Sequence, residues 1–148
     1  MSKKVQLAIN CLPFIIVLLC VLLTKFLEPI FFPIITGFTV HSVAVDKQVV
    51  TISGTMKKER NCTFESIQAY SIFSNDQPKH RNEIVLLDLP VTGDATRPIG
   101  HQPWGPWKVT IPVTPETVAI ELDSLHSCHF IWTQITPLAT VPLIYTKN

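Results

Sequence analysis

Two lysines, Lys3 and Lys4, precede a run of twenty uncharged, mostly apolar residues, Val5 to Thr24. At about 1.5 Å of rise per residue, twenty helical residues span roughly 30 Å, the hydrocarbon thickness of a bilayer. The run has no polar face to turn toward water, which argues against a helix of a soluble domain. Its length and the absence of a small-x-small site after it favour an uncleaved signal anchor over a cleaved signal peptide. Leu19 before Cys20 disfavours a lipoprotein, which needs a small residue there. Lysines held in the cytoplasm leave the N-terminus inside and the rest of the chain outside. Pro13 is expected to remove one backbone bond and kink the helix. Gln6 and Asn10 suit the interface or a partner helix, and Cys11 and Cys20 read as small hydrophobes.

A second apolar stretch, Phe26 to Val40, contains Glu28, Pro29 and Pro33. The prolines and the short length argue against a second span. The stretch reads as an aromatic collar at the membrane surface or as an extended linker.

Beyond it the pattern changes to short alternating runs rich in β-branched and aromatic residues, separated by turn signals. Expected strands are Phe38–Asp46, Gln48–Thr55, Cys62–Phe73 with a break near Ser71, Glu83–Leu89, Trp107–Val113, Val118–Leu122, Cys128–Thr136 and Val141–Tyr145. Asp46-Lys47 reads as a hairpin turn and Ser74 to Pro78 as a second turn. Residues 90–105 read as a long Pro/Gly-rich loop. Seven or eight short strands at this spacing predict an antiparallel sandwich or barrel. Two cysteines with tryptophans invite an immunoglobulin-like sandwich, although Trp132 follows Cys128 instead of preceding it. The expected organisation is therefore residues 1–25 as cytoplasmic tip and anchor, 26–37 as linker, and 38–148 as an extracytoplasmic mainly β domain. Internal repeats are absent.

Composition refines the picture. The part from Phe38 onward carries nine basic and ten acidic residues. That near balance excludes a nucleic-acid binder working by bulk charge. Of four cysteines, two lie in the anchor and two, Cys62 and Cys128, in the outer part. In an oxidising compartment one disulfide between them is the economical outcome, worth roughly 4 kcal/mol in the chain-entropy model. Two buried thiols or a metal site are the alternatives.

The densest local motif runs from Arg97 to Trp107. Its functional reading is a recognition loop, with Arg97, His101, Gln102, Trp104 and Trp107 offering an amphipathic surface to a protein, glycan or headgroup. Its bland reading puts the indoles in the core, which is the preferred one for Trp107; for Trp104 the two are evenly balanced. A second constellation is His126, Cys128 and His129, which with Cys62 makes a valid zinc or copper set. Strand alternation puts His129 on the other face, and Cys62 has no second ligand nearby, so solvent-facing histidines beside a disulfide are preferred. No metal or other cofactor is expected. Lys57 to Arg60 reads as a solvated hairpin end that could touch anionic headgroups, and Asn61-Cys62-Thr63 formally fits a glycosylation triplet. The sequence contains no nucleophile elbow, P-loop, HExxH or dinucleotide glycine pattern, so no enzyme is expected.

Arg60-x-Cys62-x-Phe64, the Arg97–Trp107 motif and His126-x-Cys128, behind a lysine-led anchor, resemble small membrane-anchored proteins of unknown function found in bacteriophage genomes. The resemblance carries no activity. It implies a bacterial inner membrane with the β domain in the periplasm. The function expected is an envelope interaction module with a protein partner. The alternatives are a holin-like lysis factor or regulator of one and, more weakly, a metal-handling domain.

Overall fold

The computed structural model describes residues 3–75, 77–87, 96–111, 117–129 and 132–143, with side chains from residue 11 onward. The chain divides into two compact units, Met1–Pro33 and Ile34–Asn148.

The first unit is one helix, α1 (Lys3–Phe31), of 29 residues. From Cys11 to Leu27 every side chain is exposed, and Cys11–Phe31 is long and apolar enough to cross a membrane. The helix runs past the expected end at residue 25 and through Pro29, so much of the expected linker is helical. Pro29 is tolerated because Phe32 N–H donates to Glu28 O at 2.8 Å, renewing the ladder beyond the missing donor. The side chains of Gln6 and Asn10 lie outside the described residues.

The second unit is seven antiparallel strands: β1 (Ile35–Asp46), β2 (Val49–Lys58), β3 (Thr63–Phe73), β4 (His80–Leu86), β5 (Gly100–Thr110), β6 (Thr117–Ser127) and β7 (Thr133–Pro142). They form one sheet in the order β1-β2-β5-β4-β3-β6-β7. The sheet curls until its outer strands β1 and β7 approach each other. Mainly antiparallel β is thus as expected, but the architecture is barrel-like, not an immunoglobulin-like sandwich. The reason lies in β4. Its first half, His80–Asn82, pairs with β3, and its second half, Glu83–Leu86, pairs with β5, so one strand carries the sheet around the corner.

Two other strands differ from expectation because of bulges. In β3, Phe64 faces His126 and Ser66 faces Leu125, so Glu65 is an extra residue. The bulge moves the inner face from Phe64 to Ile67, Ala69 and Ser71, and the strand continues through Ser71 to Phe73. In β7 one continuous strand replaces the two expected around residues 128–145. The expected strand positions Asp88, Leu89, Pro112, Val113, Phe130, Ile131, Ile144 and Tyr145, Asp76 of the expected turn, and residues 90–95 of the expected loop lie outside the described residues.

The core gathers Val50, Ile52, Ile67, Trp104, Trp107, Ile120 and Leu122 inside the curl. Cys62 and Cys128 form a disulfide, with Cα atoms 4.5 Å apart across a sequence separation of 66.

Candidate functional site

The Arg97–Trp107 motif is a strand with a turn before it. In β5, Trp107 lies opposite Ile52 and Trp104 opposite Gly54. Two steps on β2 therefore match three on β5, and the extra residue keeps both tryptophans on the inner face. Trp104 is 1 % exposed and Trp107 is 2 % exposed. Phe38 stacks on Trp104 with ring centroids 4.5 Å apart, and the two indoles lie 4.4 Å apart. Trp104 Nε1–H donates to Thr55 O at 3.1 Å, so the buried indole is hydrogen-bonded.

Glycines make this packing possible. A Cβ on Gly54 would meet Thr39 O at 1.8 Å and Trp104 Cζ2 at 2.7 Å. Gly105 has φ of +87°, and a Cβ there would meet Ile52 O at 2.7 Å. Trp104 and Trp107 are accordingly core residues: the preferred reading of Trp107 holds, and the recognition-surface reading of both indoles, evenly balanced for Trp104, is corrected.

What the motif does present is its turn. Arg97 Nη1–H donates to Pro103 O at 3.0 Å, and Gln102 Nε2–H donates to Pro98 O at 2.9 Å. Arg97 and Gln102 are thus spent on holding the turn closed. Ile99, 59 % exposed, and His101 stand out from it.

Beneath the turn two basic side chains enter the otherwise mostly apolar interior. Lys58 is 2 % exposed, and its Nζ donates to Arg97 O at 2.7 Å and Cys62 O at 3.2 Å. This ammonium ties the turn to the start of the disulfide loop. His126 faces it on the same inner surface, 3 % exposed, with its ring edge-on to Phe64 at 5.6 Å. Burial pushes the His126 imidazole down to about 4, helped by the positive charge of Lys58. Its Nδ1 has no hydrogen-bond partner among the described residues. A cavity of about 20 Å³ lies between Lys58, Phe64, Trp107 and His126, enough for one water molecule.

The expectation that His126 faces solvent is therefore overturned. The strand β6 extends to Ser127, which the polar residues Asp123, Ser124 and His126 concealed in the sequence. His129 instead packs beside Trp132 with ring centroids 5.1 Å apart. With Cys62 and Cys128 joined, as preferred, neither sulfur is a thiolate, and the alternative four-ligand set is not assembled. Among the described residues no cluster of three metal-binding side chains occurs.

Around the rim, Glu59 accepts from Thr36 Oγ1 at 2.6 Å and pairs with Lys57 at 2.9 Å. These contacts hold its carboxyl below the usual range. The basic cluster Lys57 to Arg60 is therefore partly neutralised, with Lys58 pointing inward. Comparison with known protein families, curated proteins and solved structures finds no match.

Proposed function

We propose that this protein is a membrane-tethered interaction module. In this reading α1 is a signal anchor with Lys3 and Lys4 in the cytoplasm, and the barrel stands in the periplasm of a bacterial cell as a phage-encoded envelope factor. The observation that carries the reading is the contrast between the two units: α1 exposes every side chain from Cys11 to Leu27, whereas the barrel buries a core of its own. A bare apolar helix of that length is costly in water and favourable in a bilayer. The disulfide supports export, because such bonds persist in oxidising compartments. The contact surface is the turn at Ile99 and His101, since the tryptophans are occupied in the core.

Fractionation of bacteria expressing the full chain tests this. The chain is expected in the membrane pellet after alkaline carbonate washing, and protease added to spheroplasts is expected to remove the barrel. A barrel protected in spheroplasts, or a chain that washes off, overturns the reading. Loss of membrane potential on expression would move the protein to the lysis-factor class.

A further inference from the structure

Ile35, the first residue of β1, follows Phe31, the last residue of α1, by four positions. At about 3.5 Å per residue the chain between them reaches no more than roughly 14 Å. Wherever α1 leaves a bilayer, the start of β1 is therefore held close to that surface.

Pairing register shows what shares this end of the barrel. Glu59 N–H donates to Ile34 O at 2.8 Å, Ile35 lies opposite Lys58, and Lys58 lies opposite Gly100. Thr36, Lys57 and His101 form the next row. Adjacent strands are about 4.8 Å apart, so the turn before Gly100 stands roughly 10 Å to the side of the point where the chain enters. Thr63, Ser127 and Thr133 form the corresponding row of β3, β6 and β7. Lys58 Nζ, which donates to Cys62 O at 3.2 Å, joins the two rows. Trp132 comes immediately before Thr133, with its ring beside His129.

The two ends of the barrel differ in what they show. At the entry end Ile99 is 59 % exposed at the tip of the turn, and Trp132 is half-buried, unlike the two core tryptophans. Arg97 and Gln102 close the turn with their hydrogen bonds to Pro103 O and Pro98 O, so Ile99 stands on a fixed support that loses little freedom on binding. At the other end the described residues of the connections, Asp46 to Gln48 and Ser74 to Lys79, expose polar side chains and Pro78. A fixed aliphatic tip beside a half-buried indole is suited to a membrane–water interface, where an indole keeps its apolar body in lipid and its N–H in water. Lys57 is paired with Glu59 at 2.9 Å, so attachment through this end is apolar more than ionic and needs no anionic lipid.

We propose that the entry end of the barrel docks on the headgroup layer of the bilayer that holds α1, with Ile99 and Trp132 entering the layer. The lipid surface is then the partner of the turn at Ile99 and His101, and the polar end faces away from it. This docking rests on the membrane-tethered reading of α1. A chain that washes off the membrane fails both, whereas a membrane-bound chain with Ile99 in water fails the docking alone.

The test uses the full chain in phosphatidylcholine nanodiscs that carry a small fraction of lipid with a paramagnetic headgroup, against the same discs with diamagnetic lipid. The NMR signals of the Ile99 methyls and the Trp132 indole are expected to be lost. Val45, ten residues beyond Ile35 and so about 30 Å along β1, is expected to keep its methyl signals. Ile99→Asp puts a charge on the tip and is expected to restore the Trp132 signal with thermal unfolding unchanged, because the position is exposed. Ile99→Leu keeps the aliphatic tip and is expected to leave that signal lost. Retained Ile99 and Trp132 signals in the nanodisc-bound chain overturn the proposal and leave this end to a protein partner. Equal loss at Val45 overturns it as well, since neither end is then preferred. So does a Trp132 signal still lost in Ile99→Asp, because the short connection alone then holds the barrel near the lipid.

Discussion

Trp104 shows how one residue exchanges a functional reading for a structural one. Its indole fills the space over Gly54 and stacks on Phe38. Trp104→Ala is expected to cost about 3–5 kcal/mol, as large-to-small changes at well-packed aromatic sites do. Ile99→Ala, on the exposed turn, should change stability by less than about 0.5 kcal/mol. Chemical denaturation of the two variants checks both values; equal small losses would contradict the core assignment. His126 sets a second expectation. Its imidazole titrates near 6.5 in the unfolded chain and at about 4 when folded. Between those values the unfolded state takes up a proton that the native state refuses. Stability from this group is therefore complete above pH 6.5 and lost as pH falls toward 4, by an amount on the order of 3 kcal/mol. Glu59, whose carboxyl is lowered, acts in a separate window below its ordinary 4.5. A His126→Leu variant should flatten the slope between pH 6.5 and 4.5 in unfolding titrations; an unchanged slope would assign it to another group. Neither residue was legible alone. A tryptophan in a Pro/Gly-rich segment and a histidine among polar neighbours look exposed, because sequence shows polarity but not which face a bulge turns inward.

Elements were legible in proportion to their periodicity. The apolar helix and the hairpin end of β1–β2, Val43 to Thr51, follow from regular patterns, whereas the start of β1 and strands β3 and β5 contain irregularities that break the two-residue period. The β5 bulge made Gly100 to Gly105 read as loop, and the β3 bulge made Ser71 read as a break. β6 read short because Asp123, Ser124 and His126 are polar yet three successive turns of the pleat still lie in the sheet. β4 is the element on which the curl depends, and it is held thinly. Only Ala69, Tyr70 and Ser71 of β3 pair with it. Ser71 Oγ–H donates to Asn82 Oδ1 at 3.1 Å and Asn82 Nδ2–H donates back to Ser71 Oγ at 2.9 Å, both side chains being buried. Asn82→Ala leaves the Ser71 hydroxyl short of a partner and is expected to cost about 1–3 kcal/mol. Faster amide exchange in β4 than in β6 of this variant is the accompanying sign, since loss at a corner opens locally before the whole unfolds.

At the scale of the whole molecule, the cysteine count anticipated the covalent staple. Closure order was beyond the sequence, because which strand lies beside which depends on contacts far apart in the chain. Breaking the Cys62–Cys128 bond by paired substitution to serine is expected to cost about 2–5 kcal/mol, read as a lowered midpoint in denaturant with the barrel still folded at low temperature. No change would mean the constraint is redundant with packing.

The staple has a place as well as a strength. Cys62 precedes β3 and Cys128 follows β6, so the bond ties the β3-β6-β7 side of β4. The strand that continues from the helix, β1, is on the other side and is bonded within the sheet to β2 alone. Tension applied along the chain from the helix therefore enters the barrel through the β1–β2 ladder, and the disulfide bears none of it until those two strands part. Under load applied from the helix side, this design yields at its noncovalent edge while its stapled half stays shut.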